Sequence, residues 1–215
     1  EALVARVERE RGPIEFFVAN AGVGGPLGPL WELDPADWAW TLGVNVQGVA
    51  HGLAAVLPRM IGRRSGHVLV VSSLAGVAAT PFLAPYAASK HAVIGLARAV
   101  EAELAVLGAP IGISVVCPGP VESRIADSER SRPPELRPRR QPAPALLEQL
   151  RAGFEAALAD PMPASRFAER VLAELEAGTS FLLTHVEGLD DVSRALERTS
   201  AAVERARTPD SVGPA

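Results

Sequence analysis

A chain of 215 residues, 48% of them apolar, can bury a full core in one domain, which excludes an intrinsically disordered chain. A formal charge of −4 gives no general attraction for nucleic acid, and no apolar run reaches the length of a membrane-spanning helix. The single cysteine, Cys117, excludes an internal disulfide framework and reads as a small core residue, so with no signal-peptide pattern in view the expected location is the cytoplasm.

The opening helix is expected over residues 1–11. Four short, continuous apolar runs follow at 14–19, 68–71, 113–117 and 181–183. Such runs read as strands buried on both faces, the habit of a parallel sheet flanked by helices. After the first strand, Asp34 is a cap, Pro35 suits the first turn, and Asp37 places negative charge at the positive end of the helix dipole. The apolar stripe of this helix, 34–61, runs Trp38, Leu42, Val49, Leu53, Val56 and Met60, with Asn45 falling on it. A further helix, 85–107, carries Val93, Leu96, Val100, Leu104 and Leu107 on one face and stops at Gly108. Residues 124–144 are rich in Arg and Pro and lose periodicity; they predict a flexible loop or lid with solvated arginines at 124, 130, 132, 137, 139 and 140. Helical periodicity returns over 146–158 and 165–177. The last strand precedes a helix near 189–207, and 208–215 is expected to be a disordered tail. Residues 1–207 thus predict a single α/β domain.

Lysine occurs once, as Lys90, and tyrosine once, as Tyr86. On a helix these positions share a face, so the ammonium can sit beside the phenol. A nearby cation is expected to lower the tyrosine pKa, which would suit a general acid/base near neutral pH. Three polar segments follow the first three strands: Asn20-Ala21-Gly22, Ser72-Ser73, and Pro118-Gly119-Pro120-Val121-Glu122-Ser123. Open parallel sheets bind ligands at that carboxyl edge. Each feature also has a structural alternative. Tyr86 and Lys90 could form a surface pair, Asn45 a packing amide, and Ser73 and especially Ser72 caps. Residues 20–22 and Pro118-Gly119 could be turns that brace the sheet. His51, His67, His91 and His185 show no ligand spacing, so no metal site is assigned.

Asn20-Ala21-Gly22, Asn45, Ser73, Tyr86-x-x-x-Lys90 and Pro118-Gly119-x-Val121-x-Ser123 together resemble the short-chain dehydrogenases/reductases. The thirteen-residue step from Ser73 to Tyr86 matches the ordinary, non-extended branch. The resemblance implies a Rossmann-like, doubly wound parallel sheet and an NAD(P)-dependent oxidoreductase interconverting an alcohol and a ketone or aldehyde. In that reading Tyr86 is the general acid/base, Ser73 binds the substrate oxygen, and Lys90 binds the nicotinamide ribose. Asn45 holds a water that extends the proton relay. Asn20, Ala21 and Gly22, together with Pro118, Gly119, Val121 and Ser123, contact the cofactor, NAD or NADP. Ala75, Val77, Phe82, Leu83, Pro120 and Ile125 give the pocket an apolar lean, and helices 34–61 and 85–107 resemble the pair that builds homodimers and homotetramers.

The family's glycine-rich TGxxxGxG turn has no counterpart here: Gly22, Gly24, Gly25 and Gly28 are interrupted by Pro26 and Pro29. With Glu1 as the first residue, the expectation is a C-terminal three-quarters of a longer protein, lacking the first βαβαβ half. The strand at 14–19 would then be an exposed edge. The rival expectation is a catalytically silent subunit that acts through oligomerisation and binds no cofactor.

Overall fold

Four parallel strands, β1 (Phe16–Ala19), β2 (His67–Val71), β3 (Gly112–Cys117) and β4 (Phe181–Leu183), pair in the order β1-β2-β3-β4. This computed structural model describes residues 1–185 and 189–207; the tail expected at 208–215 lies outside the described residues. Among the described residues, seven α-helices accompany the strands: α1 (Ala2–Arg11), α2 (Pro35–Leu42), α3 (Gly48–Arg63), α4 (Ala84–Val106), α5 (Pro144–Ala157), α6 (Ala164–Glu176) and α7 (Leu189–Arg207). The result is a parallel α/β sheet of the partial Rossmann kind, and none of the described helices is long and apolar enough to cross a membrane.

The main core lies between one sheet face and the pair α3 and α4. Val68, Val70, Val115 and Cys117 meet Val56 and Met60 from α3 and Val93 and Ala97 from α4, all fully or nearly fully buried. Each large apolar side chain buried in this way contributes about 1.5–3 kcal/mol. The opposite face is covered by α6, where Val171 packs on Leu69, Val116 and Leu182. At the far side, β1 pairs only with β2 among the described residues; Phe16 and Val18 are 41% and 42% exposed.

The start of α2 follows its sequence. Asp34 accepts a hydrogen bond from the Ala36 N–H at 2.9 Å, while the Asp37 carboxylate accepts from the Asp34 N–H at 2.9 Å, a reciprocal capping box. The predicted stripe across 34–61 needs correction. Residues Gly43–Gln47 form a π segment between α2 and α3, with the Gly48 N–H reaching back five residues to Gly43 O. That extra residue shifts the helical phase. Asp37, Trp40 and Thr41 therefore face inward, while Trp38 and Leu42 are only half-buried. In α4 the stripe holds as far as Leu104; Leu107 is exposed because the chain turns at Gly108, which takes φ 58°.

The segment after β3 also departs from expectation. Residues Ile125–Ser131 and Pro134–Leu136 wind into 3-10 turns. Arg132, read as a solvated charge, is buried: its guanidinium meets the Asp37 carboxylate at 2.7 Å and lies 4.8 Å from the Trp40 ring. Ser128 accepts from the Gly24 N–H at 2.9 Å, and Arg140 donates to Leu33 O at 2.6 Å. Buried charge must be paired, and these contacts dock the segment on the 22–42 region.

Candidate active site

The carboxyl ends of β1, β2 and β3 gather their loops at one edge, with the start of α4 among them. The Leu74 N–H donates to Pro118 O at 2.9 Å, which ties the loop after β2 to the loop after β3. Ser72 does more than cap its strand: its hydroxyl is buried and donates to Lys90 O at 2.9 Å, so β2 holds α4 directly.

Tyr86 stands in the first turn of α4, close enough to the Ser73 hydroxyl for that group to draw the phenol pKa down. Ser73 has extended backbone and accepts from the Ala75 N–H at 3.1 Å, so a lone pair is committed and its own hydrogen points elsewhere. Lys90 lies one turn further on, its ammonium 5.6 Å from the centre of the Tyr86 ring. Lys90 is only 4% exposed, and Nζ donates to Val71 O at 3.0 Å. Burial pulls its pKa down to about 8, against a smaller opposite pull from Cys117. The expected lowering of the tyrosine pKa is not found. Burial of the phenol pushes the Tyr86 pKa above its ordinary value and outweighs the lowering effect of the Ser73 hydroxyl. The electrostatic assistance inferred from spacing alone is thus weaker than the desolvation that comes with the same position.

Asn45 occupies the π segment and is 1% exposed. Its Oδ1 accepts from the Val23 N–H at 2.8 Å; its Nδ2 donates to Val23 O at 3.0 Å and to Ser89 Oγ at 2.9 Å. Ser89 in turn donates to Tyr86 O at 2.7 Å. The amide hydrogens are spent, but Oδ1 retains a second lone pair. A Cβ at Gly22 would lie 3.4 Å from Asn45 Oδ1 and 3.5 Å from Lys90 Nζ. The absent side chain therefore leaves a small polar gap between the two.

The remaining candidates divide. Gly22 is half-buried beside Asn45 and Lys90, whereas Asn20 and Ala21 are exposed at the rim. Pro118, Gly119 and Val121 are half-buried, and Val121 bridges to Met162. Ser123 is exposed and its hydroxyl accepts from the Ile125 N–H, a local turn. Tyr86, Lys90, Ser73, Asn45, Gly22 and the Pro118 turn are brought together; Asn20, Ala21 and Ser123 frame them.

Sequence reasoning missed Ser89 and the contacts of Arg132 and His185, and for Phe82, read as a pocket residue, it missed the backbone conformation. Ser89 lies one turn after Tyr86, a position that helical spacing could have flagged. Phe82 takes a left-handed φ of 63° just before α4, its carbonyl accepting from the Gly28 N–H at 3.0 Å. A bulky residue is costly in that conformation, and nothing in the local sequence signals it. His185 follows β4 at the same carboxyl edge, where the strand-end rule applied as well as it did to the other loops. Among the described residues, no group of three or more His, Cys, Asp or Glu is placed to hold a metal.

Comparison with known proteins adds to this geometry. A family model described as short chain dehydrogenase matches residues 1–134. A CLA biosynthesis dehydrogenase/reductase of Lactiplantibacillus plantarum is 31% identical over 82% of this chain, which spans 62% of that relative's length. Oxidoreductase UcpA of Escherichia coli K12 is 32% identical over 92% of the chain and 72% of the relative. The crystal structure of a short chain dehydrogenase/reductase from Burkholderia phymatum in complex with NAD superimposes with a TM-score of 0.84 at 33% identity, covering 100% of this chain and 75% of that one.

Proposed function

This chain belongs to the short-chain dehydrogenase family, and from that membership we propose that it serves an NAD- or NADP-dependent oxidoreductase interconverting an alcohol and a ketone or aldehyde. The observation that carries the proposal is the trio at the sheet edge: the Tyr86 phenol beside the Ser73 hydroxyl, with the buried Lys90 ammonium across its ring. The NAD-bound neighbour supports a dinucleotide as cofactor.

The residues present fit the nicotinamide end of such a cofactor. Lys90 Nζ makes one hydrogen bond, to Val71 O, and the open backbone of Gly22 lies beside it. Two ammonium hydrogens are therefore available, one for a ribose hydroxyl and one for a water. When bound, the cofactor supplies or accepts the hydride; the protein holds, orients and moves the proton.

In the reducing direction, the Tyr86 O–H donates its proton to the carbonyl oxygen as the carbon receives hydride. Its raised pKa keeps it protonated through neutral pH, which suits donation. The Ser73 hydroxyl donates to the same oxygen and stabilises the charge that develops there. In the gap beside Gly22, a water bridging Asn45 Oδ1 and Lys90 Nζ restores the tyrosine proton through the relay. Phe82, Leu83 and Ile125 give the substrate side an apolar character that favours a hydrophobic carbonyl compound. The outward faces of α3 and α4 are the surfaces proposed for homo-oligomer assembly.

The test is Tyr86→Phe in the full-length protein, assayed against hydrophobic ketones with NADH and NADPH. Turnover should fall by about 10²- to 10⁴-fold, with cofactor affinity and thermal unfolding unchanged. Near wild-type turnover would sink the mechanism. A stable wild-type oligomer with no affinity for either cofactor would favour a silent, assembling subunit.

A further inference from the structure

The turn Pro118-Gly119-Pro120 contains two prolines, so Gly119 carries its only backbone N–H. That N–H donates to His185 Nδ1 at 2.9 Å. On the other side of the ring, His185 Nε2 stands 2.8 Å from Pro120 O. A backbone N–H can only donate and a carbonyl can only accept, so the two contacts fix the ring as the neutral tautomer with hydrogen on Nε2. The Thr184 hydroxyl, 2.9 Å from Nδ1, can only share that single lone pair in a three-centre contact. Arg170 from α6 donates to Thr184 O at 2.8 Å and fixes the strand end from behind.

The fit is steric as well as polar. A Cβ at Gly119 would lie 2.7 Å from His185 Cγ and 3.0 Å from its Cβ, so a larger residue there would displace the histidine. Pro120 O also accepts from the Met162 N–H at 2.9 Å, and the Leu74 N–H holds Pro118 O from the β2 side. The turn is thus gripped between the Ser73 loop and β4. His185 is 9% exposed, and the reaction described above makes no use of it.

We propose that His185 is a positioning residue: its neutral ring presets the Pro118-Gly119-Pro120 turn for the nicotinamide end of the dinucleotide. This rests on the functional reading above. His185 touches no reacting atom; it acts through Gly119 and Pro120. An unsatisfied N–H in a turn with no other donor would let the segment shift, and shifts of about 1 Å at a site that aligns reactants lower rates.

Two variants and two readouts test it in the full-length protein. His185→Gln offers an acceptor and a donor at the same spacing; His185→Leu offers neither. Nitrogen NMR of the wild type should show Nδ1 unprotonated and Nε2 protonated, with slow exchange at the Gly119 amide. His185→Leu should speed Gly119 exchange and weaken NADH or NADPH binding, each by about tenfold, while His185→Gln stays near wild type in both. A protonated Nδ1 in the wild type, or Gly119 exchange unmoved in a folded His185→Leu protein, overturns the clamp. Faster exchange with unchanged cofactor affinity overturns its positioning role. If His185→Leu does not fold, the wild-type tautomer and the Gln variant decide. A wild-type protein that binds neither cofactor overturns the functional reading instead, and the NMR readouts still judge the clamp.

Discussion

The helix α4 and the segment that follows β3 contribute to the same site by opposite means. On α4, Tyr86, Ser89 and Lys90 are placed by helical geometry, and each contact to the next is local or reaches the adjacent strand. In the segment after β3, short 3-10 turns set only the local shape, and long-range contacts set where it sits. Gly119 is held from 66 residues away by His185, Ser128 holds Gly24 across 104 residues, and Arg140 holds Leu33 across 107. A regular helix can carry chemistry at fixed spacing, whereas an irregular segment needs long-range polar anchors to stay in register. The two regions should therefore fail differently when mutated.

The largest structural effect is expected at the anchor. Arg132→Ala strands the Asp37 carboxylate in a buried site where Arg132 Nη2 is 2.7 Å away in the wild type. Stability should fall by about 3–5 kcal/mol in chemical denaturation. The paired replacement Asp37→Leu with Arg132→Met should recover much of that loss; a double variant as weak as the single would show that more than the charge pair is at work.

Lys90 sharpens the contrast from the α4 side. Its folded pKa of about 8 lies below the ordinary 10.5 of a free lysine. The unfolded chain thus binds the extra proton between those values, so this residue makes wild-type stability rise as pH climbs through that window. Below pH 8 the buried ammonium costs at most about 3 kcal/mol, less the hydrogen bond to Val71 O. Lys90→Met should be relatively most stable below pH 8 and lose that advantage towards pH 10.5. An unchanging difference across that range would contradict the burial of the charge.

Gly22→Ala separates relay from fold. The added methyl makes ordinary van der Waals contact with Asn45 Oδ1 and Lys90 Nζ, so stability should hold while the relay water is displaced. Turnover should drop by roughly tenfold; unaltered turnover would remove the water from the mechanism. The smallest effect is Asp34→Ala, which opens the capping box of α2 and should cost about 1 kcal/mol of stability. A larger cost would mean that Asp34 also anchors the distant segment through its contact with the Arg139 N–H.

Periodicity and strand-end position made much of this legible. The four strands, the cap at Asp34, the stop at Gly108 and the pairing of Tyr86 with Lys90 follow from spacing, and the place of Ser73 from the rule that parallel sheets present ligand sites at one edge; that Asn45 joins them was implied by the family resemblance. The π segment was not legible, because one inserted residue per turn leaves no composition signal; it turned Trp40 inward where Trp38 was expected. Arg132 was misread because its partner, Asp37, already had a local explanation as a charge at the helix dipole. One of its oxygens does serve the cap; the other takes the arginine. His185 was passed over because it was weighed only as a metal ligand. The sign of the Tyr86 pKa shift failed for a general reason: spacing reveals a neighbouring charge but not the desolvation that accompanies it.

The most direct test of the central claim follows the transferred atom. NADH or NADPH carrying deuterium at the transferring position of the nicotinamide should be incubated with a hydrophobic ketone and either wild-type or Tyr86→Phe full-length protein. The wild type should deliver deuterium to the carbinol carbon, and the variant should bind the cofactor equally well yet form almost no labelled alcohol. Labelled alcohol at the wild-type rate from Tyr86→Phe, or none from a wild-type protein that binds the cofactor across the ketone panel, would contradict the account.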